Sequence, residues 1–164
     1  MGLDMYLRAE VSKYVSYYDD GNENYGKGLY PDFLRDFEDM QRERRNLICV
    51  SSEYDIGYWR KFNALHGYIV DSFADGVDEC QDIVLWEQDI EKVLKTLKSL
   101  TPENASVVMP PKDGFFFGST DIDEWYWCYV EYSIKVFEKI LKVVAEFDSK
   151  APGSYLRIIY HASW

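Results

Sequence analysis

The nine residues Leu3 to Val11, "LDMYLRAEV", alternate without a break. Leu3, Met5, Leu7, Ala9 and Val11 fall on one side of an extended chain, and Asp4, Tyr6, Arg8 and Glu10 on the other. Successive strand side chains point to opposite faces, so this period of two predicts a half-buried β-strand. The far end of the chain carries a matching signal: after Pro152 and Gly153, "YLRIIYHASW" reads as a closing strand. Two strand-like ends predict one antiparallel sheet that contains both. The expected fold class is α+β, a small antiparallel sheet including both terminal strands, packed against three to four helices, in a single domain over residues 1–164.

The chain between these ends supplies the helices. From Tyr17, "YYDDGNENYGKGLYPDF" is rich in Gly, Asn and Asp and predicts a turn or exposed loop. "PDFLRDFEDMQRERR" puts Pro31 in a first helical turn, with Phe33, Leu34, Phe37 and Met40 at helical spacing. "NLICVSSEYDIGYW" reads as extended chain. "RKFNALHGYIVDSFADGVDEC" starts as a helix and stops near Gly76. "IVLWEQDIEKVLKTLKSL" is amphipathic, with Leu85, Ile90, Val93, Leu94, Leu97 and Leu100 along one side. Pro102, Pro110 and Pro111 bracket an irregular connection. The longest helix is expected from Ile122 to Phe147.

Charge and cysteine usage narrow the function classes. A net charge of −11 argues against general affinity for nucleic acid or anionic membrane, while leaving room for a basic protein partner or a metal. No apolar run approaches the roughly 18 residues that a membrane helix needs. Cys49, Cys80 and Cys128 are too few and too scattered for a disulfide framework or a zinc knuckle. An odd cysteine count, with charges interrupting "MGLDMYLRAE", fits a reducing, cytoplasmic setting.

Familiar catalytic motifs do not appear. "GNENYGKG", Gly21 to Gly28, approaches a phosphate loop but has Gly28 where a Ser or Thr should follow Lys27, and reads as a hairpin loop. His66 and His161, the chain's two histidines, lack the spacing of a zinc site or of a Ser-His-Asp nucleophile. No spacing supports a carboxylate metal site from Asp4, Asp121 and Asp123. No catalytic residue, metal or cofactor is assigned on these grounds.

Two other stretches predict a binding pocket. "GFFFGSTDIDEWYW", Gly114 to Trp127, carries six aromatic rings around a polar centre. Asp121 with Glu124, or Thr120 with Asp123, forms a capping pair for the long helix; the remaining polar groups of this loop are free to bind a ligand. "YWRKFNALH" spaces Trp59, Asn63 and His66 as one helical face, with Arg60 three residues before Asn63. Either Trp59 is core and Asn63 and His66 bond to backbone, or the group faces a planar polar ligand. If the two stretches meet, Trp59, Phe116 and Trp125 supply stacking surfaces. Arg60, Asn63, His66, Ser119 and Thr120 then supply hydrogen bonds, with Asp121 and Asp123 beside them.

At "MGLDMYL", "GYWRKFNALHGYIV", "GVDEC", "GFFFGSTDIDEWYW" and "YHASW" the chain resembles a family of small uncharacterised proteins of tailed bacteriophages and prophage-bearing bacterial genomes. The resemblance covers most of the chain and is weakest over Tyr17 to Asn46 and Val143 to Ser154. In that family the position of Phe62 is more often Ala, and the ending is more often Ser-Ser-Trp where this chain has Ala162, Ser163 and Trp164. Some members carry a phosphoglycerate-kinase label. This chain is far too short for that two-domain enzyme and has no intact nucleotide motif. The resemblance implies a phage context, hence the host cytoplasm, where small accessory proteins often counter host defence. Three readings follow. The first is a binder that sequesters a nucleotide-derived host immune signal. The second is an acidic inhibitor of a host protein, and the third a hydrolase with His66 as acid or base oriented by Asp121 or Asp123. A homo-oligomer is compatible with each.

Overall fold

In the computed structural model, residues 2–16 and 47–164 are described. The loop, near-phosphate-loop and short helix expected between Tyr17 and Arg45 lie outside the described residues. The elements in chain order are strand β1 (Asp4–Ser16), strand β2 (Leu47–Arg60), helix α1 (Asn63–Phe73), strand β3 (Ile83–Leu85), helix α2 (Glu87–Ser99), the single turn α3 (Ala105–Val108), helix α4 (Glu124–Lys150) and strand β4 (Ser154–Ser163).

The strands form one sheet in the order β2-β1-β4-β3, with every neighbouring pair antiparallel. The first and last strands are therefore neighbours at its centre, paired from Asp4 opposite Ser163 to Lys13 opposite Ser154. With four helices among the described residues, the fold is α+β as the two ends predict.

Register explains which face is covered. Met5, Leu7 and Ala9 stand opposite Ala162, Tyr160 and Ile158, and all six are buried. Trp59, opposite Met5 on the other flank, joins them. Leu65 and Ile69 of α1, Ile90, Val93 and Leu97 of α2, and Val130, Phe137 and Ile140 of α4 complete the core. The alternate residues of the strands carry charge instead. Arg8 bonds Glu53 and Asp82, and Arg157 bonds Glu10. Such partly exposed pairs contribute little stability, of order 0–1 kcal/mol each.

Three expectations shift. Leu85 belongs to β3, not to the amphipathic helix: Ile83 pairs with Tyr160 and Leu85 with Ile158 to extend the sheet. The helix starts after Trp86, whose backbone N–H donates to the Asp89 carboxylate at 2.9 Å. The irregular connection contains one helical turn, α3. The long helix runs from Glu124 to Lys150, two residues later at its start and three at its end than Ile122–Phe147.

One glycine is required by close approach. The β1–β2 register shifts between Leu7, opposite Gly57, and Arg8, opposite Asp55, so Ile56 is an extra residue in β2. This bulge brings Gly57 against the core. A Cβ there would meet the Trp59 ring at 2.9 Å and Val136 Cγ1 at 3.2 Å. Both neighbours are buried. Gly57→Ala should therefore destabilise the fold by about 1–3 kcal/mol, the usual cost of overpacking. Urea denaturation checks this; the midpoint should fall while the slope stays unchanged.

Candidate functional site

The two stretches singled out in the sequence do meet. Asn63 opens α1 with its side chain buried, and its Nδ2 donates to the carbonyls of Phe117 at 3.1 Å and Ser119 at 2.8 Å. The backbone adds two further ties: Leu3 N–H donates to Phe116 O at 3.1 Å, and Lys61 N–H donates to Leu3 O at 2.8 Å. Of the three consecutive phenylalanines only Phe117 enters the core, edge-on to His66 and Trp164. Phe115 is 95% exposed, and Phe116, half-buried, packs edge-on against it.

Beside this junction is a cleft of about 240 Å³. The end of β2 and start of α1 contribute Arg60, Lys61 and Asn63; the following loop contributes Ser119, Asp121 and Asp123; the first turns of α4 contribute Trp125, Tyr126 and Tyr129. Six expected site residues thus line one space: Arg60, Asn63, Ser119, Asp121, Asp123 and Trp125.

The other four do not line it. Trp59 lies in β2, so its spacing of four from Asn63 is not a helical turn; the helix begins only at Asn63. Its indole N–H donates to Ser133 Oγ at 2.8 Å inside the core, and the ring packs on Phe137. His66 is enclosed beneath α1. Phe116 is held by its backbone to Leu3, and Thr120 is exposed outside the cleft. Lys61 and Tyr129 were missed. Tyr129 had a legible signal, since it falls one helical turn after Trp125.

Local hydrogen bonds fix the acidic wall. Ser119 Oγ donates to Asp121 Oδ2 at 2.8 Å and accepts the Asp121 N–H at 3.0 Å. Asp123 is the residue that caps α4, its Oδ1 accepting the Tyr126 N–H at 3.0 Å. The capping pairs expected for Asp121 with Glu124 and Thr120 with Asp123 do not form; the chain turns helical only after Asp123. Tyr126 donates its hydroxyl to Met109 O, and burial pushes that phenol up to about 12, so it stays neutral. Tyr129 lies flat against Phe62, whereas Trp125, 72% exposed, has no ring contact among the described residues.

The cleft's charges are not consumed by one another. Among the described residues, no ion pair joins Arg60 or Lys61 to Asp121 or Asp123. Among the described residues Arg60 pairs only with Asp4, at 4.0 Å, and Asp4 already accepts the Tyr58 hydroxyl at 2.5 Å. No group of three or more potential metal ligands occurs among the described residues.

His66 belongs to a separate, buried network. Its Nδ1 is 2.7 Å from the Tyr160 hydroxyl and its Nε2 is 3.0 Å from Asp78 Oδ2. Burial lowers the His66 pKa and raises that of Tyr160. The neutral imidazole satisfies both contacts: Nε2–H donates to Asp78 while Nδ1 accepts from Tyr160. Its orienting carboxylate is therefore Asp78 and not Asp121 or Asp123. His161 bonds Asp82 at 2.9 Å, so both histidines hold the segment between α1 and β3.

Compared with protein-family models, curated proteins and solved structures, the chain matches none. Among the described residues no helix is long and apolar enough to cross a membrane.

The His66 network makes stability depend on pH. Its folded pKa lies below the unfolded value of about 6.5, so the folded state binds fewer protons in between. The stabilisation is present above about pH 6.5 and is lost as pH falls toward the lower folded value. Urea midpoints measured at pH 7.5 and 5.5 should fall with acid, and His66→Gln should shrink that fall. Tyr160→Phe should cost about 1–3 kcal/mol at pH 7.5, because buried Nδ1 loses its donor.

Proposed function

We propose that the protein binds a small nucleotide-like molecule in the cleft between the β2–α1 junction and the start of α4. The observation that carries this reading is the lining. Two cations, two carboxylates and an exposed indole share one concave space, and the opposite charges form no ion pair with each other among the described residues. A base can stack on Trp125, while a phosphate accepts charge-assisted hydrogen bonds from Arg60 and Lys61. Hydroxyls can donate to Asp121 and Asp123. Asn63 acts as a builder of the cleft, since both its amide hydrogens are engaged by backbone carbonyls. Together with the phage-family resemblance of the sequence blocks, this supports sequestration of a nucleotide-derived host immune signal as the cellular role.

A second reading, an inhibitor that docks on a host protein, draws on a different observation. Phe115 and Trp125 stand exposed on a chain of net charge −11, and exposed aromatics are frequent anchors of protein interfaces. That contact would weaken steeply with added salt.

Calorimetric titration with adenine and guanine nucleotides tests the first reading. Binding is expected, and Trp125→Ala should weaken it about tenfold, since stacking on one base is worth roughly 1–3 kcal/mol. An unchanged affinity in Trp125→Ala, or no binding of any nucleotide, contradicts it.

A further inference from the structure

We infer that Lys61 is the anion anchor of the cleft and that the ligand is a nucleoside monophosphate, its phosphate on Lys61 and Arg60 and its ribose hydroxyls on Asp121 and Asp123. The inference rests on the nucleotide-binding reading and narrows it.

Lys61 is exposed, but its backbone is constrained. Its backbone is left-handed, with φ 61°, a conformation that residues with a Cβ rarely adopt. Such a residue persists only where its surroundings over-determine it. Here they do. The Lys61 N–H is fixed on Leu3 O, and the side chain runs along two glycines. A Cβ on Gly118 would lie 3.1 Å from Lys61 Cβ and 3.2 Å from its Cδ, and a Cβ on Gly2 would lie 3.1 Å from its Cε. The stem therefore lies directly over both glycines, with its outer side exposed. Its ammonium has no ion pair among the described residues, although the chain carries 29 acidic residues against 18 basic ones.

Charge and size narrow the ligand. Asp121 and Asp123 each commit one carboxylate oxygen, to Ser119 and to the Tyr126 N–H, which leaves one oxygen apiece. A carboxylate oxygen left open can accept a hydrogen bond from a ribose hydroxyl, the contact that an acidic residue makes in dinucleotide-binding folds. A monophosphate brings about two negative charges, which Arg60 and Lys61 match. A triphosphate would press further negative charge against the two aspartates. The volume of about 240 Å³ lies just below the roughly 300–1,000 Å³ of pockets that enclose drug-sized ligands, so the cleft holds at most one nucleotide unit and not a dinucleotide.

The test is calorimetric titration with AMP, GMP, CMP and UMP, their nucleosides, their triphosphates and the 2′,3′-dideoxy monophosphates, on the parent protein and on Lys61→Gly. Glycine adopts a φ of 61° freely, so this variant should keep the parent's melting temperature. At least one monophosphate should bind about tenfold tighter than its nucleoside, its triphosphate and its dideoxy analogue, a gap of about 1.4 kcal/mol. Lys61→Gly should lower the monophosphate's affinity about tenfold and so erase its preference over the nucleoside. Lys61→Gln, which keeps the stem but removes the charge, should do the same. Tighter binding of triphosphates, or a preference that survives both variants, overturns this inference and leaves nucleotide binding standing. If no nucleotide or nucleoside binds, both fall.

Discussion

One carboxamide determines where the cleft lies. Asn63 begins α1 from within the core and spends both amide hydrogens on two carbonyls of the loop that precedes α4. Each bond contributes about 1 kcal/mol, but leaving the buried Asn63 amide and the buried Phe117 carbonyl unsatisfied would cost more than the bonds supply. With that loop anchored on α1, Ser119, Asp121 and Asp123 are brought alongside Arg60 and Lys61, and α4 starts where Trp125 can border the same space. The chain separates these groups by about sixty residues. The amide closes that separation.

The sheet provides the rigid frame on which this depends. Because β1 lies between β2 and β4, Leu3 at its entrance can accept from Lys61 and donate to Phe116, stitching both cleft-forming segments to one strand. The bulge at Ile56 and the absence of a side chain on Gly57 let Trp59 fold flat into the core, which turns Arg60 outward on the next residue. Core packing and cleft geometry are thus set by the same few residues of β2.

The legible parts of the sequence are those where one periodic signal acts alone. "LDMYLRAEV" kept its period of two because one face of β1 is buried and the other is partly exposed and polar, and the central pairing of β1 with β4 followed. The three-residue β3 was not legible, since three residues define no period and Leu85 also fits the apolar stripe of the next helix. Trp59 fits its reading as extended chain and core. The helical face drawn through Trp59, Asn63 and His66 fails, because spacings of four and three occur across a strand end and a helix start as easily as within one helix. What separates β2 from α1 is the left-handed backbone of Lys61, and nothing about a lysine announces it. The same backbone hid Lys61 as a site residue. In "STDID" four oxygen-bearing residues, Ser119, Thr120, Asp121 and Asp123, compete to cap α4, and only the path of the anchored loop selects Asp123. Six of the ten expected residues line one cleft because they lie at or beside the starts of α1 and α4. The four outside the cleft are the two placed in the core, Trp59 and His66, one tied by its backbone and one left on the surface.

The five tryptophans permit a direct measurement, because each indole N–H gives its own resonance. Trp125 borders the cleft, Trp59 is locked on Ser133 in the core, and Trp86 borders a different cavity, between β4 and the ends of α2 and α4. Nitrogen–proton spectra of the labelled protein should be recorded while AMP or GMP is added. If the cleft is the binding site, the Trp125 indole shifts in a saturable way while those of Trp59 and Trp86 hold their positions. Saturable movement of Trp86 with Trp125 unmoved, or no movement of any indole, would contradict it.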